Sequence, residues 1–253
     1  MDKKVIPIFK TDGSLKGRSI LTAAPASEIK RDKPVSVASI AKDYKLDPTV
    51  VVEDNPTNFI KLFENLRDAG SNLYFGLRMT VCADVEQKDA DSLKTEHKII
   101  VFLDNEEGWS DLCQLSSFAS VQGFYYQPRI DLDNLSRLWS EHFSLVVPFY
   151  DSYLFHNLFN SRDLIPKFPV EPTYFIEDHS HIYDGPLTQA IEAKQLATQH
   201  VHSIHYFERE HMDPISIMKC VANKTKYDKP NLDGWFTDSF SWETYWERYV
   251  AQS

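Results

Sequence analysis

The sequence predicts an α/β fold built on a mainly parallel sheet, wound as a barrel or a distorted barrel. Short apolar runs alternate with amphipathic stretches along most of the chain, the signature of strands interleaved with helices. The count, about seven strand–helix units, is large for a small flavodoxin-like sheet and suits a barrel. The run Lys98 to Leu103 is nearly all apolar, as in a strand buried on both faces.

Taken in order, Val5 to Phe9 reads as the first strand and Thr49 to Val52 as the second, closed by Glu53-Asp54-Asn55-Pro56. Phe59, Leu62, Phe63 and Leu66 then recur at helical spacing behind a capping Thr57. Leu73 to Val81 and Lys98 to Leu103 read as strands. Asp111 to Phe118 reads as a helix, and so does Leu132 to Phe143. A strand over Ser144 to Phe149, a short helix over Ser152 to Phe159 and a strand over Thr173 to Ile176 follow. Leu187 to Thr198 reads helical, Val201 to Tyr206 extended and Pro214 to Ala222 helical. Thr11 to Pro34 reads as a solvated connection, and its Ser14-Leu15-Lys16-Gly17-Arg18-Ser19 stretch lacks the spacing of a phosphate loop. The whole chain, residues 1–253, is expected to be a single domain.

Composition narrows the function. A formal charge of -10 disfavours a broad nucleic-acid face, which needs Lys and Arg against phosphates, and is compatible with a protein partner. Three widely spaced cysteines, Cys82, Cys113 and Cys220, make neither a disulfide framework nor a zinc knuckle. No apolar run approaches the roughly 18 residues that span a bilayer, and MDKKVIPIFK has no signal-peptide core. A soluble, cytoplasmic protein is expected.

The tail is crowded with aromatic residues, including Trp235, Phe236 and Phe240, and is expected to form a helix at about 235–250. Trp242, Tyr245, Trp246 and Tyr249 fall on one helical face, which can pack on the domain's own core or anchor a partner protein. His179, His181 and His205 make the region around His200 and His202 histidine-rich. With Asp178 or Asp184 they can form a separate metal site, or serve as ordinary hydrogen-bonded histidines.

The segment His97 to Ser116, HKIIVFLDNEEGWSDLCQLS, has a His opening a buried strand, an Asn105-x-x-Gly108-Trp109 turn and then a helix. Val52-Glu53-Asp54-Asn55, Phe75-Gly76-Leu77-Arg78 and Ala197-Thr198-Gln199-His200-Val201-His202 stand around it in a fixed order. This set, spanning roughly residues 5–235, resembles the PHP (polymerase and histidinol phosphatase) domain at the start of bacterial DNA polymerase III α subunits. The resemblance implies a distorted (β/α)7 PHP-type barrel, whose ligands converge at the C-terminal ends of the strands, hold up to three metal ions and activate water against a phosphate ester.

Carried over by position, much of that ligand set is missing. The first-strand His-x-His falls on Ile8 and Lys10, or on Pro7 and Phe9. The Asp of the next motif is Asp54, but its His is Asn55. The Glu of the third is Arg78, a fixed cation that repels a metal and could instead bind a phosphate oxygen. His97 survives, Pro148 stands where a further ligand is expected, and the last Asp-x-His reads His200-x-His202. Asp54, His97, His200 and His202 leave room for one divalent metal, zinc, manganese or magnesium. The implied reading is a degenerate PHP module of DNA replication that binds a polymerase or exonuclease subunit and copies no DNA itself. The alternative is a phosphoesterase or 3'-5' exonuclease with a reduced metal site. A third view of the tail also follows, as a face that met the next domain of a longer polymerase.

Overall fold

The computed structural model describes residues 4–13, 19–223, 226 and 237–251. Ser14 to Arg18 and the tail aromatics Trp235 and Phe236 lie outside the described residues. In chain order the elements are β1 (Ile6–Phe9), α1 (Val37–Tyr44), β2 (Thr49–Glu53), α2 (Phe59–Asp68), β3 (Leu73–Cys82), β4 (His97–Leu103), α3 (Trp109–Val121), β5 (Arg129–Asp131), α4 (Leu132–Arg137), β6 (Phe143–Val147), α5 (Tyr153–Phe159), β7 (Thr173–Ile176), α6 (Asp184–Glu192), β8 (Thr198–Ile204), α7 (Met212–Asn223) and α8 (Trp242–Tyr249). Contacts divide the chain into two compact units. The first holds residues 1–75, 178–180 and 201–253, the second 76–177 and 181–200.

In the first unit β1 lies parallel to β2, with Ile8 opposite Val50, and parallel to the end of β8, with Ile8 opposite Ser203. β2 also pairs with β3. All five residues of β2 are buried, which suits its Val-Val-Val run. α1 starts where the Ser36 hydroxyl accepts the Ser39 N–H at 3.0 Å, and it ends at Lys45, whose φ of 54° is left-handed. α2 buries Phe59, Leu62 and Leu66, the 3-and-4 spacing of an inward face. Truncating a leucine as enclosed as Leu66 costs roughly 2–5 kcal/mol. α8 is capped by the Ser241 hydroxyl on the Thr244 N–H at 3.1 Å. Its Trp242 is buried, with ring centroids 5.6 Å from Phe9 and 4.8 Å from Tyr44.

In the second unit β6 and β7 are parallel, as are β7 and the start of β8, while β4 runs antiparallel to both β3 and β6. Ile99, Ile100, Val101 and Phe102 are all buried, as the apolar run requires. Gly76 sits opposite Phe102, and a Cβ there would meet Ile100 at 2.8 Å and Phe102 at 2.9 Å. The Asn105 side chain accepts the N–H groups of Glu107 (3.1 Å) and Gly108 (3.3 Å), which launches α3. The three cysteines are free, and burial pushes the Cys82 thiol up to about 11.

Four expectations shift. The helix expected over 132–143 stops at Arg137, and Phe143 opens β6 because it pairs with Leu103. The helix expected over 187–198 ends at Glu192, since Thr198, Gln199 and His200 are drawn into the ladder with β7. Neither α1 nor the three-residue β5 was expected.

Candidate functional site

Two features of the first unit stand at the ends of neighbouring parallel strands. Lys10 follows β1, and Asp54 follows β2. Phe9 lies opposite Val51, so both strands deliver their last residues to the same edge. There the Lys10 ammonium lies 2.8 Å from the Asp54 carboxylate, with side-chain exposures of 8% and 16%. An ammonium therefore faces the one carboxylate that the second motif retains. The neighbouring Glu53 carboxylate is buried and accepts the Thr11 N–H at 2.8 Å and the Thr11 hydroxyl at 2.6 Å. Asn55, in place of a histidine, is part of the loop. Its amide donates to the Gly13 carbonyl at 2.9 Å, and its oxygen accepts the Thr57 N–H at 2.9 Å.

The same unit holds His202. Its ring is fully buried, and Nε2 lies 2.7 Å from the Ser239 carbonyl oxygen. A carbonyl only accepts, so Nε2 carries the proton and Nδ1 holds the lone pair of the ring. His179 is also fully buried, with Nδ1 3.0 Å from the Ser239 hydroxyl and its ring stacked on Phe240 at 3.8 Å. His205 stacks on Phe240 as well, at 4.9 Å. The tail aromatics divide: Trp242 and Tyr245 are buried, and Trp246 and Tyr249 are half-buried. The Tyr245 hydroxyl donates to the Val5 carbonyl at 3.0 Å, so the stripe's inner part packs on its own unit.

In the second unit Arg78 forms an ion pair with Asp151 at 2.7 Å, with side-chain exposures of 9% and 32%. Asp151 lies just past β6, near the position where Pro148 offers no ligand. Its φ of 59° is left-handed, a conformation that Asp tolerates better than most residues. Its carbonyl accepts the Lys98 N–H at 2.8 Å. Arg78 pairs with Ile100 and Thr80 with Lys98, whereas His97 pairs with Val81. Alternation along the strands therefore sends Arg78 and His97 to opposite faces of the sheet. His97 is buried, with Nδ1 3.3 Å from the Thr95 carbonyl and Nε2 without a hydrogen-bond partner. Burial drives its pKa down to about 4 against the pull of the Thr95 carbonyl, with help from His156 and Arg162. His200 is half-buried on β8 opposite Ile176. The Asp184 carboxylate accepts from the Tyr150 hydroxyl at 2.7 Å and from the His181 N–H at 2.9 Å.

Among the described residues no three His, Cys, Asp or Glu side chains gather as a metal site would require. With a lysine on Asp54 and no such cluster among the described residues, these residues do not fit a multi-metal centre. Asp151 is a residue the sequence did not mark, and Lys10 entered there only as a non-ligand at one register of the first-strand motif. Lys10 is a lone cation ending an apolar strand, and Asp151 immediately precedes the Ser152 cap of α5. Neither signal names a partner.

A family model for the PHP domain matches residues 32–158. The chain is 32% identical over 80 residues to the DNA polymerase III subunit alpha of Borreliella burgdorferi, covering 31% of this chain and 7% of that protein. With the same subunit of Treponema pallidum it shares 28% identity over 159 residues, covering 57% of this chain and 13% of that protein. With that of Chlamydia trachomatis it shares 48% over 52 residues, covering 21% and 4%. The chain spans no more than 13% of the length of these relatives. Strand order and family match agree on the expected fold class, an α/β barrel of PHP type. No helix among the described residues is long and apolar enough to cross a membrane.

Proposed function

Because the chain belongs to the PHP domain family, we propose that it is a catalytically degenerate PHP module of DNA replication that works by binding a protein partner in the cytoplasm and does not copy DNA. One observation supports this reading above the others. At two positions where the family resemblance puts metal ligands, the charges facing carboxylates belong to the chain itself: Lys10 on Asp54 and Arg78 on Asp151. A paired carboxylate has its charge neutralised without a divalent ion, and a metal entering would have to displace a fixed cation. The relatives are DNA polymerase III α subunits, which makes a polymerase or exonuclease subunit the partner class to test first.

The test is elemental analysis of chain purified without chelator, beside hydrolysis of p-nitrophenyl phosphate and of single-stranded DNA, and a sizing experiment with replication subunits. The reading expects no metal-dependent hydrolysis and a complex of defined size. Stoichiometric metal with hydrolysis lost in Asp54→Ala overturns it.

His97 favours a second reading. A histidine that donates Nδ1–H to a backbone carbonyl and keeps Nε2 as a bare lone pair has the form of a metal ligand. A reduced-site phosphoesterase or exonuclease would use it. That reading requires hydrolysis that rises with added manganese or zinc and disappears in His97→Ala.

A further inference from the structure

In the second unit, the turn between α3 and β5 holds apolar side chains out to water. Val121 is 77% exposed, Phe124 50% and Tyr126 79%. Such exposure on a loose loop would mean little, but this turn is held from beneath. Arg129 is fully buried under it, and every arm of its guanidinium is used. Nε donates to the Gly123 carbonyl at 3.2 Å, Nη1 to the Ser92 hydroxyl at 3.1 Å, and Nη2 to the Gln87 carbonyl at 3.2 Å. Its guanidinium lies 5.0 Å from the Tyr125 ring centroid, and Tyr125 in turn packs edge-on against Tyr126 at 4.6 Å. Gly123 is required, because a Cβ there would fall 1.9 Å from the Arg129 carbonyl oxygen. Tyr126 has a φ of 58°, a strained conformation for an aromatic residue. A buried cation, a required glycine and a strained tyrosine thus hold the backbone of the turn that presents Phe124 and Tyr126 to water. Preorganised aromatics of this kind make interface hot spots, since little entropy is lost on binding.

The chemistry of the partner follows from the neighbouring strip. Arg129 ties the turn to residues 87 and 92, and that strip carries the exposed acids Asp84, Glu86, Asp89 and Asp91. Its one lysine, Lys88, donates to the Gln122 carbonyl at 3.3 Å, and the nearby Lys94 pairs with Asp91 at 2.6 Å. We infer that the 121–126 turn and the acidic 84–91 strip form a docking surface for a cationic segment of a partner protein that presents apolar side chains between its lysines or arginines. The inference rests on the protein-partner reading above and adds where the contact is made and with what chemistry.

The probe is a fluorescein-labelled peptide alternating lysine with leucine, beside a control in which serine replaces every leucine. Anisotropy on the full chain is expected to show the leucine peptide binding more tightly than the serine peptide. Phe124→Ser combined with Tyr126→Ser should weaken it about tenfold. Asp84→Asn with Glu86→Gln should weaken both peptides, while Ile165→Ser, at a separate side chain 81% exposed, should change neither. Photo-crosslinking of the leucine peptide to the unaltered chain provides a readout that does not depend on variants folding, with links expected at 84–91 and 121–126. Equal binding of the two peptides, or crosslinks spread elsewhere, overturns the inference. Crosslinks from a replication subunit at Trp246 and Tyr249 would overturn this surface and leave the partner reading standing. No complex with any replication subunit would remove the partner reading itself.

Discussion

Asp54 and His97 survive from the same motif set, yet the structure treats them in opposite ways. In the first unit, the Asp54 carboxylate meets an ammonium at 2.8 Å. In the second, His97 Nε2 is buried and meets no hydrogen-bond donor, and burial holds the ring neutral. A largely buried carboxylate with no cation beside it carries an uncompensated charge that costs stability. A buried histidine sheds its proton instead, and His97 keeps Nδ1 on the Thr95 carbonyl while Nε2 goes without a hydrogen bond. The comparison shows what the lysine at the end of β1 does: it supplies a positive charge to Asp54 that a neutral His97 does not call for.

Four measurements can break or sharpen that contrast. Lys10→Ala removes the ammonium that lies 2.8 Å from the largely buried Asp54 carboxylate, and urea unfolding should show a loss of about 3 kcal/mol or more. Lys10→Ala with Asp54→Asn should recover part of that loss, because the buried negative charge that the lysine offset is removed as well. The next effect is a pH dependence at His97. Its folded pKa, about 4, lies below the 6.5 of an ordinary histidine. The unfolded chain therefore takes up the proton first as pH falls through 6.5, and stability declines until pH 4, where both states are protonated. The full loss is on the order of 3 kcal/mol, and His97→Phe should flatten that limb of the curve. Arg78→Ala should cost less, about 1–2 kcal/mol by the same unfolding experiment, since a third of the Asp151 side chain reaches water to screen it. Asn55→Ala should cost about 1 kcal/mol, the value of one loop hydrogen bond. Equal losses for Lys10→Ala and Asn55→Ala would mean that the ion pair carries no special weight.

Much of the framework was legible because the relevant signals are local. The apolar run of β4 and the 59-62-66 spacing of α2 are each complete within a dozen residues. The turn at Asn105 could be read for the same reason, since cap and capped N–H groups are adjacent in sequence. α1 escaped notice because its buried face is made largely of small residues, Ala38, Ser39 and Ala41, which give weak periodicity. β5 is three residues long and exists through its pairing with β3. At the site, the departures from the family pattern were visible in the sequence, but the ion pairs that these residues form were not. Lys10 and Asp54 are separated by 44 positions and Arg78 and Asp151 by 73, and no local pattern links either pair. The stripe over Trp242 and Tyr245 was visible too, although its two possible readings, core or partner, differ in burial, which spacing cannot reveal.

Metal content of Lys10→His, compared with that of the unaltered chain after dialysis against zinc and manganese, tests the central claim most directly. If Lys10 holds the place of a cation, the unaltered chain should retain less than one ion per chain, and exchanging the ammonium for an imidazole should raise the bound metal. Two or more ions retained by the unaltered chain, and released on Asp54→Ala, would contradict it.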